Sequence, residues 1–479
     1  MTHTMYMMDR EEVEEPLLTS SPGENTSVLI LSSDFKSIKE SPYFVDKTLF
    51  LKQWFDFNID HLYVTAPPRF GKSSLVNMMT IFYGATYEVV DGTLKEVSTE
   101  ETPALELFKG TKIFTEENAF FENHFGKYLV LQLSFADLVF VSDYESFQHC
   151  IFTVMSNILE PFEYTLEDQN IDTEWGDWIR NYNRQSDREL EPTEIFQFGT
   201  KILNFLHEIF KKPVILVVDD FDSILLAHMK EDKVQDSAEI LMQLGMFVKS
   251  FVKSETGATF ERTIIRSYVT GSLNLGGMVT SLVSNLYHID YFYNESMATF
   301  YGFTKEEVQN LLKKENRTDE CEKFEDFYDG YSVINSNLRL FNILSVIMYL
   351  SFKGLKHYTE TMSPSNYILN KYIDAFSTQQ IGLKVCQCVY EKECGIEILS
   401  GVGFVQLEHL RNNILDSLRT REMLSDEDVS LFLTILLELG YFSVLRTTER
   451  AEYVIRPTNS KKMGVETIIM ELFLEDLDD

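Results

Sequence analysis

The strongest local signal in the chain is the segment LYVTAPPRFGKSS, residues 62–74. The apolar residues at 61–65 predict a strand, and the apolar side chains that share one face of residues 73–83 predict a helix. Between them, the letters GKS match the closing half of a phosphate-binding loop. In such a loop the glycine lets the backbone approach phosphate, the lysine reaches the β- and γ-phosphates, and the hydroxyl binds Mg²⁺. Ala66 replaces the opening glycine, which leaves a surface turn before an ordinary helix as the alternative; the strand, loop and helix context favours the phosphate loop.

A second signal, PVILVVDDFD, occupies residues 213–222. Consecutive apolar residues that end in carboxylates predict a central parallel strand, which delivers Asp219 to the edge where α/β sheets bind ligands. In phosphate-loop proteins an aspartate at this position holds Mg²⁺ together with the loop hydroxyl, here Ser73. An aspartate cluster that only caps the next helix is the alternative, and the loop upstream favours the Mg²⁺ site.

The rest of the periodicity predicts an α/β fold with a mainly parallel sheet flanked by helices. Together with the phosphate loop and the strand that ends in Asp219, this predicts a P-loop NTPase. Further strands are predicted at 127–135, 262–270 and 286–293, and amphipathic helices at 145–159 and 195–210.

The net charge limits the partners that this chain can bind. It contains 42 Lys and Arg residues against 75 Asp and Glu residues, a net charge of −33 at pH 7. Such a field repels polyanions, so nucleic-acid binding is disfavoured. Arg69 and Lys72 form a local cationic island that suits one small anionic ligand. No apolar run reaches the roughly eighteen residues of a membrane span; the longest, 341–352, predicts a buried helix, and no membrane association is expected.

The cysteines are few and odd in number: Cys150, Cys321, Cys386, Cys388 and Cys394. This usage predicts reduced thiols and an intracellular protein, cytoplasmic or nuclear. The Cys386-x-Cys388 pair with Cys394 nearby is compatible with a metal site, but no histidine or fourth cysteine stands at ligand spacing. Ordinary thiols are therefore favoured.

Two motifs together identify a family. VDKT at residues 45–48 precedes PPRFGKS at residues 67–73, and the pair resembles the predicted AAA-ATPase-like family of P-loop NTPases (AAA/STAND-like), which carries VDKT before RPRRFGKS. That family also lacks the opening glycine. Pro68 is a departure, because it replaces an arginine and removes both a cation and a backbone N–H. Shorter matches are GFTKEEV (302–308), FYDGY (327–331), GYFS (440–443) and RPTN (456–459). Thr304 and Glu307 also predict a capping box at the start of a helix, and residues 441–445 and 452–455 predict a hairpin.

The resemblance implies a site for ATP and Mg²⁺. The loop residues expected to surround the phosphates are Pro67, Pro68, Arg69, Phe70, Gly71, Lys72, Ser73 and Ser74. Lys72 is expected to act on the transferred phosphate. Where the family reads DEYD this chain reads DDFD, so the residue expected to position the attacking water is Asp220, one methylene shorter than glutamate. Thr270, at the end of a neighbouring strand, takes the place of the family's γ-phosphate sensor; a plain Thr-Gly turn is the alternative.

The composition and the predicted helices and strands divide the chain into four regions. They are a disordered acidic tail (1–27), a P-loop domain (28–300) with a long insertion at about 86–195, a helical lid (301–400) and a small winged-helix-like module (401–479). Residues 86–122 are expected on the surface, and Asp46 or Thr48 is expected to cap the helix before the phosphate loop. The PD-(D/E)XK nuclease module of many relatives is not expected, because residues 371–479 contain no Asp/Glu-x-Lys triplet.

These residues leave three functions open. The first is an ATPase that forms ADP and phosphate. The second is a nucleotide-binding scaffold with little turnover and a protein-interaction role, which Pro68 and the short Asp220 favour. The third is a phosphotransferase whose acceptor pocket lies in the insertion. An unidentified protein partner and a homo-oligomer both fit the resemblance, because arginine fingers often come from a neighbouring subunit.

Overall fold

The computed structural model describes residues 32–90, 93–167, 178–179, 190–230, 236–252, 264–275, 286–358, 378–399, 401–448 and 453–459. The acidic tail predicted at 1–27 lies outside these residues. Up to residue 300 the helices and strands are α1 (Phe35–Glu40), α2 (Phe50–Asp56), β1 (His61–Thr65), α3 (Lys72–Tyr83), β2 (Tyr87–Val90), β3 (Thr93–Glu96), α4 (Pro103–Phe108), α5 (Lys112–Glu116), α6 (Asn118–His124), β4 (Leu129–Ser134), α7 (Tyr144–Glu167), α8 (Pro192–Phe210), β5 (Val214–Asp219), α9 (Ser223–Lys230), α10 (Ser237–Val252), β6 (Ile264–Gly271), β7 (Tyr287–Asp290) and α11 (Glu295–Ala298). Later in the chain they are β8 (Phe303–Thr304), α12 (Lys305–Lys314), α13 (Cys321–Tyr328), β9 (Tyr331–Ser332), β10 (Arg339–Phe341), α14 (Ile343–Phe352), α15 (Gln379–Tyr390), β11 (Cys394–Ile396), α16 (Phe404–Thr420), α17 (Asp426–Glu438), β12 (Phe442–Thr447) and β13 (Tyr453–Pro457).

A five-stranded parallel sheet forms the centre of the first part, in the order β4-β5-β6-β1-β7. All six residues of β5 are buried, which fits the prediction of a central strand covered on both faces. In register, Thr65 of β1 lies between Gly271 of β6 and Asp290 of β7. β6 lies between β1 and β5, and all three strands are parallel. Their carboxyl ends therefore lie at one edge of the sheet, where the phosphate loop follows β1 and Asp219 ends β5.

The predicted strands and long helices are confirmed, with shifted ends. The strand predicted at 286–293 is β7, which ends at Asp290 before a 3₁₀ turn at Tyr291–Tyr293. The helices α7 and α8 both extend beyond their predicted spans. α8 packs along α10, where the Phe198 and Phe247 rings stack with centroids 5.9 Å apart. The described first part is therefore an α/β sheet flanked by helices.

Residues 86–90 and 93–122 form the hairpin β2–β3 and the short helices α4 to α6. Many of these residues are exposed, in line with the expected surface location, but several aromatic side chains of the segment are buried. Its aromatic side chains pack around Phe82 of α3. The ring centroids of Phe108 and Phe121 lie 5.2 Å and 5.5 Å from that of Phe82, and both side chains are buried. Large aromatic side chains contribute strongly to a core, so this segment is integral to the fold. The predicted insertion at about 86–195 also contains β4, a strand of the main sheet.

Two small antiparallel sheets follow, β8-β10-β9 and β11-β13-β12. The second confirms the predicted hairpin near the end of the chain. β11 belongs to the region predicted as a lid, yet it pairs with β13, so the boundary predicted at 400/401 passes through a sheet. The buried helix predicted at 341–352 is α14, whose Leu344, Val346 and Leu350 are buried. In the part of the chain that the structure describes, no helix is both long and apolar enough to cross a membrane.

The VDKT segment connects the first part of the chain with α12. Lys47 Nζ donates to the Glu307 carboxylate at 2.7 Å and to the Thr299 carbonyl at 2.6 Å. Glu307 also accepts from the Thr304 N–H, which completes the predicted capping box at the start of α12. The Lys47 and Glu307 side chains are mostly buried, with 13% and 24% exposed. Burial lowers the pKa of Lys47, and the Glu307 carboxylate opposes that shift.

Asp46 and Thr48 do not cap α2, so that prediction is wrong. Asp46 Oδ2 accepts from the Lys112 N–H at 2.8 Å, and Thr48 Oγ1 accepts from the Ile113 N–H at 3.1 Å. Both side chains thus satisfy first-turn amides of α5, a helix far along the chain. The start of α2 has Leu49 as its N-cap, without a side-chain hydrogen bond.

Cys388 and Cys394 form a disulfide with Cα atoms 4.8 Å apart, so the predicted reduced state is wrong for this pair. The end of α15 and the start of β11 bring the two side chains together. The free thiols among the described cysteines are Cys150, Cys321 and Cys386.

We predict that Lys47→Met lowers the free energy of unfolding by about 2 kcal/mol, because it leaves the Glu307 carboxylate without its charged donor. The shift of the urea unfolding midpoint measures this loss. Lys52→Met is the matched control: Lys52 pairs with Asp56 on the surface, with side chains 35% and 53% exposed. Lys52→Met should lower the free energy of unfolding by no more than about 0.5 kcal/mol. Equal shifts for the two variants would contradict the assigned role of Lys47.

Candidate functional site

The loop of residues 66–71, called the phosphate loop below, turns from the end of β1 into α3. Gly71 is the N-cap of α3 with φ = 86°, a left-handed conformation that favours glycine. A Cβ at Gly71 would also lie 3.0 Å from Ile343 Cδ1, so a larger residue is disfavoured on two grounds. Arg69 has φ = 66° and is exposed. This turn aims the free N–H groups at the start of α3 toward the carboxyl edge of the sheet, the arrangement that binds phosphate in other proteins.

Lys72 is the first residue of α3 and its side chain is buried, with 8% of the residue exposed. Its Nζ donates to the carbonyls of Ala66 at 2.8 Å and Pro67 at 3.1 Å, and to the Ser272 hydroxyl at 3.0 Å. The ammonium group is therefore fixed between the phosphate loop and the end of β6. Burial lowers the pKa of Lys72, while nearby carboxylates, Asp222 foremost, oppose the shift.

Asp219 ends β5, and the structure brings it together with Ser73 as predicted. The Ser73 hydroxyl lies close enough to oppose the rise of the Asp219 pKa, and the Asp220 N–H donates to Asp219 Oδ1 at 3.0 Å. Burial, assisted by the negative charge of Asp220, raises the pKa of Asp219 to about 8. This carboxyl group therefore holds a proton at neutral pH when no cation replaces it.

The Ser73 and Asp219 oxygens are hard donors of the kind that Mg²⁺ prefers. Within the described residues, no group of three or more His, Cys, Asp or Glu side chains is arranged to hold a metal ion. Ser73 and Asp219 alone cannot complete an octahedral shell, and Mg²⁺ in such sites takes its remaining ligands from water and substrate phosphates. The pair fits a magnesium ion that arrives with a nucleotide.

Asp220 follows Asp219 at the same edge and is half-buried. It adopts φ = 52°, a left-handed conformation that aspartate tolerates better than most residues. Its charge acts on both neighbouring groups, because it raises the pKa of Asp219 and opposes the lowering of the Lys72 pKa. The role predicted for Asp220, positioning of a water molecule, remains a prediction.

Thr270 is fully buried on β6, and its hydroxyl donates to the Val64 carbonyl at 3.0 Å. Its predicted role as a γ-phosphate sensor remains a prediction, and it would require this hydrogen bond to break. The hydroxyl that does contact the phosphate-loop lysine belongs to Ser272, two residues later. Sequence reasoning missed Ser272, because this residue follows the end of β6 in a bend, where strand alternation does not predict the direction of a side chain.

A buried polar network that the sequence did not reveal lies beside the loop. Thr65 Oγ1 donates to Asp290 Oδ1, His288 Nε2 lies 2.9 Å from Thr65 Oγ1, and His288 Nδ1 lies 3.2 Å from Asn274 Nδ2. One tautomer satisfies all three contacts: His288 Nε2–H donates to Thr65, and Nδ1 accepts from Asn274. Burial lowers the pKa of His288, which agrees with this neutral ring. The spacing of these residues in the sequence does not predict the network, because Thr65 meets His288 and Asp290 only when β1 pairs with β7.

The helix α17, which precedes the terminal hairpin, contributes a further residue to this network. Glu438 of α17 is buried, and its Oε2 accepts from the Asn274 N–H at 3.0 Å. Burial raises the pKa of Glu438 well above its usual range, and the charge of Asp290 adds to the shift. A residue more than 350 positions from the phosphate loop thus shapes the electrostatics of the sheet edge.

Elements beyond residue 300 also pack onto the phosphate loop itself. Asn342 Nδ2 donates to the Pro68 carbonyl at 3.2 Å, and the ring centroids of Phe70 and Tyr331 lie 4.7 Å apart. The Gly302 N–H donates to the Phe70 carbonyl at 3.0 Å, and a Cβ on Gly440 would lie 3.0 Å from Pro67 Cβ. The loop is therefore held from both sides, by β6 and by the later part of the chain.

A parallel sheet with a lysine-bearing loop after β1 and a Ser–Asp pair at the same edge defines a P-loop-like α/β protein. A family profile described as "Predicted AAA-ATPase" matches residues 30–276, slightly more than half of the chain. The chain belongs to this family, as the VDKT and phosphate-loop motifs predicted, and the family indicates nucleotide binding. No curated protein matches the chain.

We predict that Glu438→Gln reduces the loss of stability at high pH. A raised carboxyl pKa means that the folded state keeps a proton which the unfolded chain loses near its usual value of 4.5, so wild-type stability falls as pH rises above that value. Glutamine still accepts from the Asn274 N–H but carries no charge. Thermal melting from about pH 5 to about pH 8 should show a shallower decline for Glu438→Gln than for the wild type. Parallel curves would contradict this assignment.

Proposed function

We propose that this protein binds ATP with Mg²⁺ at the phosphate loop and hydrolyses the nucleotide to ADP and phosphate. The observation that carries the proposal is the convergence of Lys72, Ser73 and Asp219 at one edge of a parallel sheet. Lysine, hydroxyl and carboxylate in this arrangement are the parts that a P-loop NTPase requires. Membership of the predicted AAA-ATPase family supports the same conclusion.

Each residue has a defined task in this proposal. The N–H groups of Gly71, Lys72 and Ser73 at the start of α3 bind phosphate oxygens, and the Lys72 ammonium moves from the loop carbonyls to the β- and γ-phosphates. Ser73 and Asp219 would hold Mg²⁺, which neutralises charge on the phosphates when it is bound. Asp220 accepts a proton from a water molecule whose oxygen forms a bond to the γ-phosphorus. The bond between the γ-phosphorus and the β–γ bridging oxygen breaks, which gives ADP and phosphate.

A second candidate function is a nucleotide-binding scaffold with little turnover. Pro68 supplies no N–H to a phosphate, and its carbonyl is already engaged by Asn342. The Asp220 side chain is one methylene shorter than the glutamate expected in this family, so its carboxylate lies farther from the position of the attacking water. These features weaken hydrolysis more than binding, and they favour a nucleotide held as a structural ligand or switch.

The later part of the chain is proposed to form a lid and a winged-helix-like module. The elements α15, β11, α16, α17, β12 and β13 run helix, strand, two helices and a hairpin, which supports a winged-helix-like arrangement. In this proposal the module starts near residue 378 rather than 401, because β11 pairs with β13. α12 to α14 would then be the lid. A protein partner and self-association remain part of the proposal.

We expect the purified protein to release phosphate from MgATP and Lys72→Ala to lose at least about a hundredfold of that turnover, since the substitution removes the charge that stabilises the transferred phosphate. A coupled phosphate-release assay measures the rate. Lys109→Ala, an exposed lysine paired with Glu106, is the control and should leave the rate unchanged. Turnover that survives Lys72→Ala would place the activity elsewhere or in a contaminant.

We predict that Asp220→Glu raises turnover at least about tenfold without tighter ATP binding, because the longer arm brings the carboxylate within reach of the water. The rate comes from phosphate release and the affinity from a fluorescent ATP analogue. A rate that stays at the wild-type level would show that the short side chain is not what limits hydrolysis.

A further inference from the structure

We propose that Asp222 is a positioning residue: it holds the segment Gly271–Asn274 so that the Ser272 hydroxyl faces Lys72 and the γ-phosphate. This inference rests on the proposed function for its catalytic consequence. Asp222 is the last acid of the DDFD segment, and the mechanism above gives it no task. The segment Gly271–Asn274 is called the β6 loop below.

The Asp222 carboxylate accepts a hydrogen bond from the β6 loop, and its charge also acts on Lys72. The Asp222 side chain is buried, with 1% of the residue exposed. Oδ2 accepts from the Leu273 N–H at 2.8 Å. A Cβ on Gly271 would clash with Oδ1 of Asp222, so the close approach requires glycine at that position. The buried Asp222 carboxylate is therefore engaged by a backbone amide of the β6 loop.

The β6 loop is also tied to the phosphate loop and to the later part of the chain. The Ala66 N–H donates to the Gly271 carbonyl at 3.1 Å, and the Ser272 hydroxyl accepts from Lys72 Nζ. At its other end, Asn274 contacts Glu438 through its N–H, and its carbonyl accepts from the Val402 N–H at 2.8 Å. Asp222 thus holds the centre of a loop whose two ends touch different parts of the protein.

Ser272 is the hydroxyl that this geometry offers to the nucleotide. When Lys72 turns toward the phosphates, its hydrogen bond to the Ser272 hydroxyl can be kept or replaced by a contact from that hydroxyl to the γ-phosphate. Thr270 lacks this freedom, because its hydroxyl donates to Val64 within the sheet. Ser272 therefore contacts the lysine directly, and Asp222 acts through Ser272.

A double-mutant cycle on full-length protein tests this coupling. Ser272→Ala and Asp222→Asn should each lower kcat for MgATP about tenfold or more, because each removes a hydrogen bond around a charged group. If Asp222 acts through Ser272, the double variant should be no slower than the slower single variant. Independent roles would instead multiply the two losses, and an unchanged rate in Ser272→Ala would also overturn the proposal.

Asp143→Asn is a matched control for the change of aspartate to asparagine. Asp143 also accepts from a backbone amide, that of Ser146 at 2.8 Å, but it precedes α7, and the hydrogen bonds of its side chain within the described residues are to Ser142 and Ser146 rather than to the phosphate loop. It should leave kcat unchanged. Loss of activity in this control at the level of Asp222→Asn would show that the effect reflects general destabilisation.

Amide hydrogen exchange tests the loop without nucleotide. Asp222→Asn should increase exchange of a peptide covering residues 272–275, since an uncharged amide oxygen is a weaker acceptor for the Leu273 N–H than a carboxylate, whereas Ser272→Ala should leave that exchange near the wild-type level. Equal protection in Asp222→Asn and the wild type would overturn the proposed clamp. A wild-type protein that binds no fluorescent ATP analogue contradicts the proposed function instead, and exchange alone then decides whether Asp222 holds the loop.

Discussion

A buried ammonium group sets the conditions for the rest of this sheet edge. Lys72 lies out of water, and a buried charge must be paired and hydrogen-bonded to be tolerated. Two carbonyls of its own loop and the Ser272 hydroxyl provide the hydrogen bonds, while the carboxylates after β5 provide the opposite charge. Two features of the fold position the ammonium group for these contacts. The left-handed turn at Gly71 leads directly into Lys72, and β6, next to β1 in the sheet, is followed by Ser272. A nucleotide would take over part of this pairing with its phosphates.

The same edge holds more acid than base, and the later part of the chain adds to the imbalance. Asp219 has a pKa raised to about 8, and the pKa values of Asp290 and Glu438 are also raised by burial. These groups remain tolerable because they hold protons or accept backbone N–H donors. A cation bound by Asp219 must displace its proton, so metal binding and proton release are coupled. Since Glu438 belongs to α17, the packing of that helix and the charge of the site depend on each other.

Local signals predicted the sheet, the phosphate loop and the Ser73–Asp219 pair, because each rests on a contiguous pattern: an apolar strand, a GKS turn or carboxylates at a strand end. The capping box at Thr304 was predictable for the same reason. The network of Asn274, His288 and Glu438 was not, because it forms only when distant segments pack together. Asp46 and Thr48 show the same limit, since a good local cap signal is used by α5 instead of α2. Residues 86–122 were assigned to the surface because no periodicity revealed the core that their phenylalanines build around Phe82.

The central claim is that the Lys72 ammonium and its loop form a working site for a nucleotide. Calorimetric titration of the full-length protein with MgATP, beside Lys72→Ala, tests it most directly. We expect one nucleotide per chain for the wild type and at least about a hundredfold weaker binding for Lys72→Ala, since the buried cation is the main positive charge available to the phosphates. Equal affinity in the two proteins, or no binding by the wild type at millimolar nucleotide, would contradict the account.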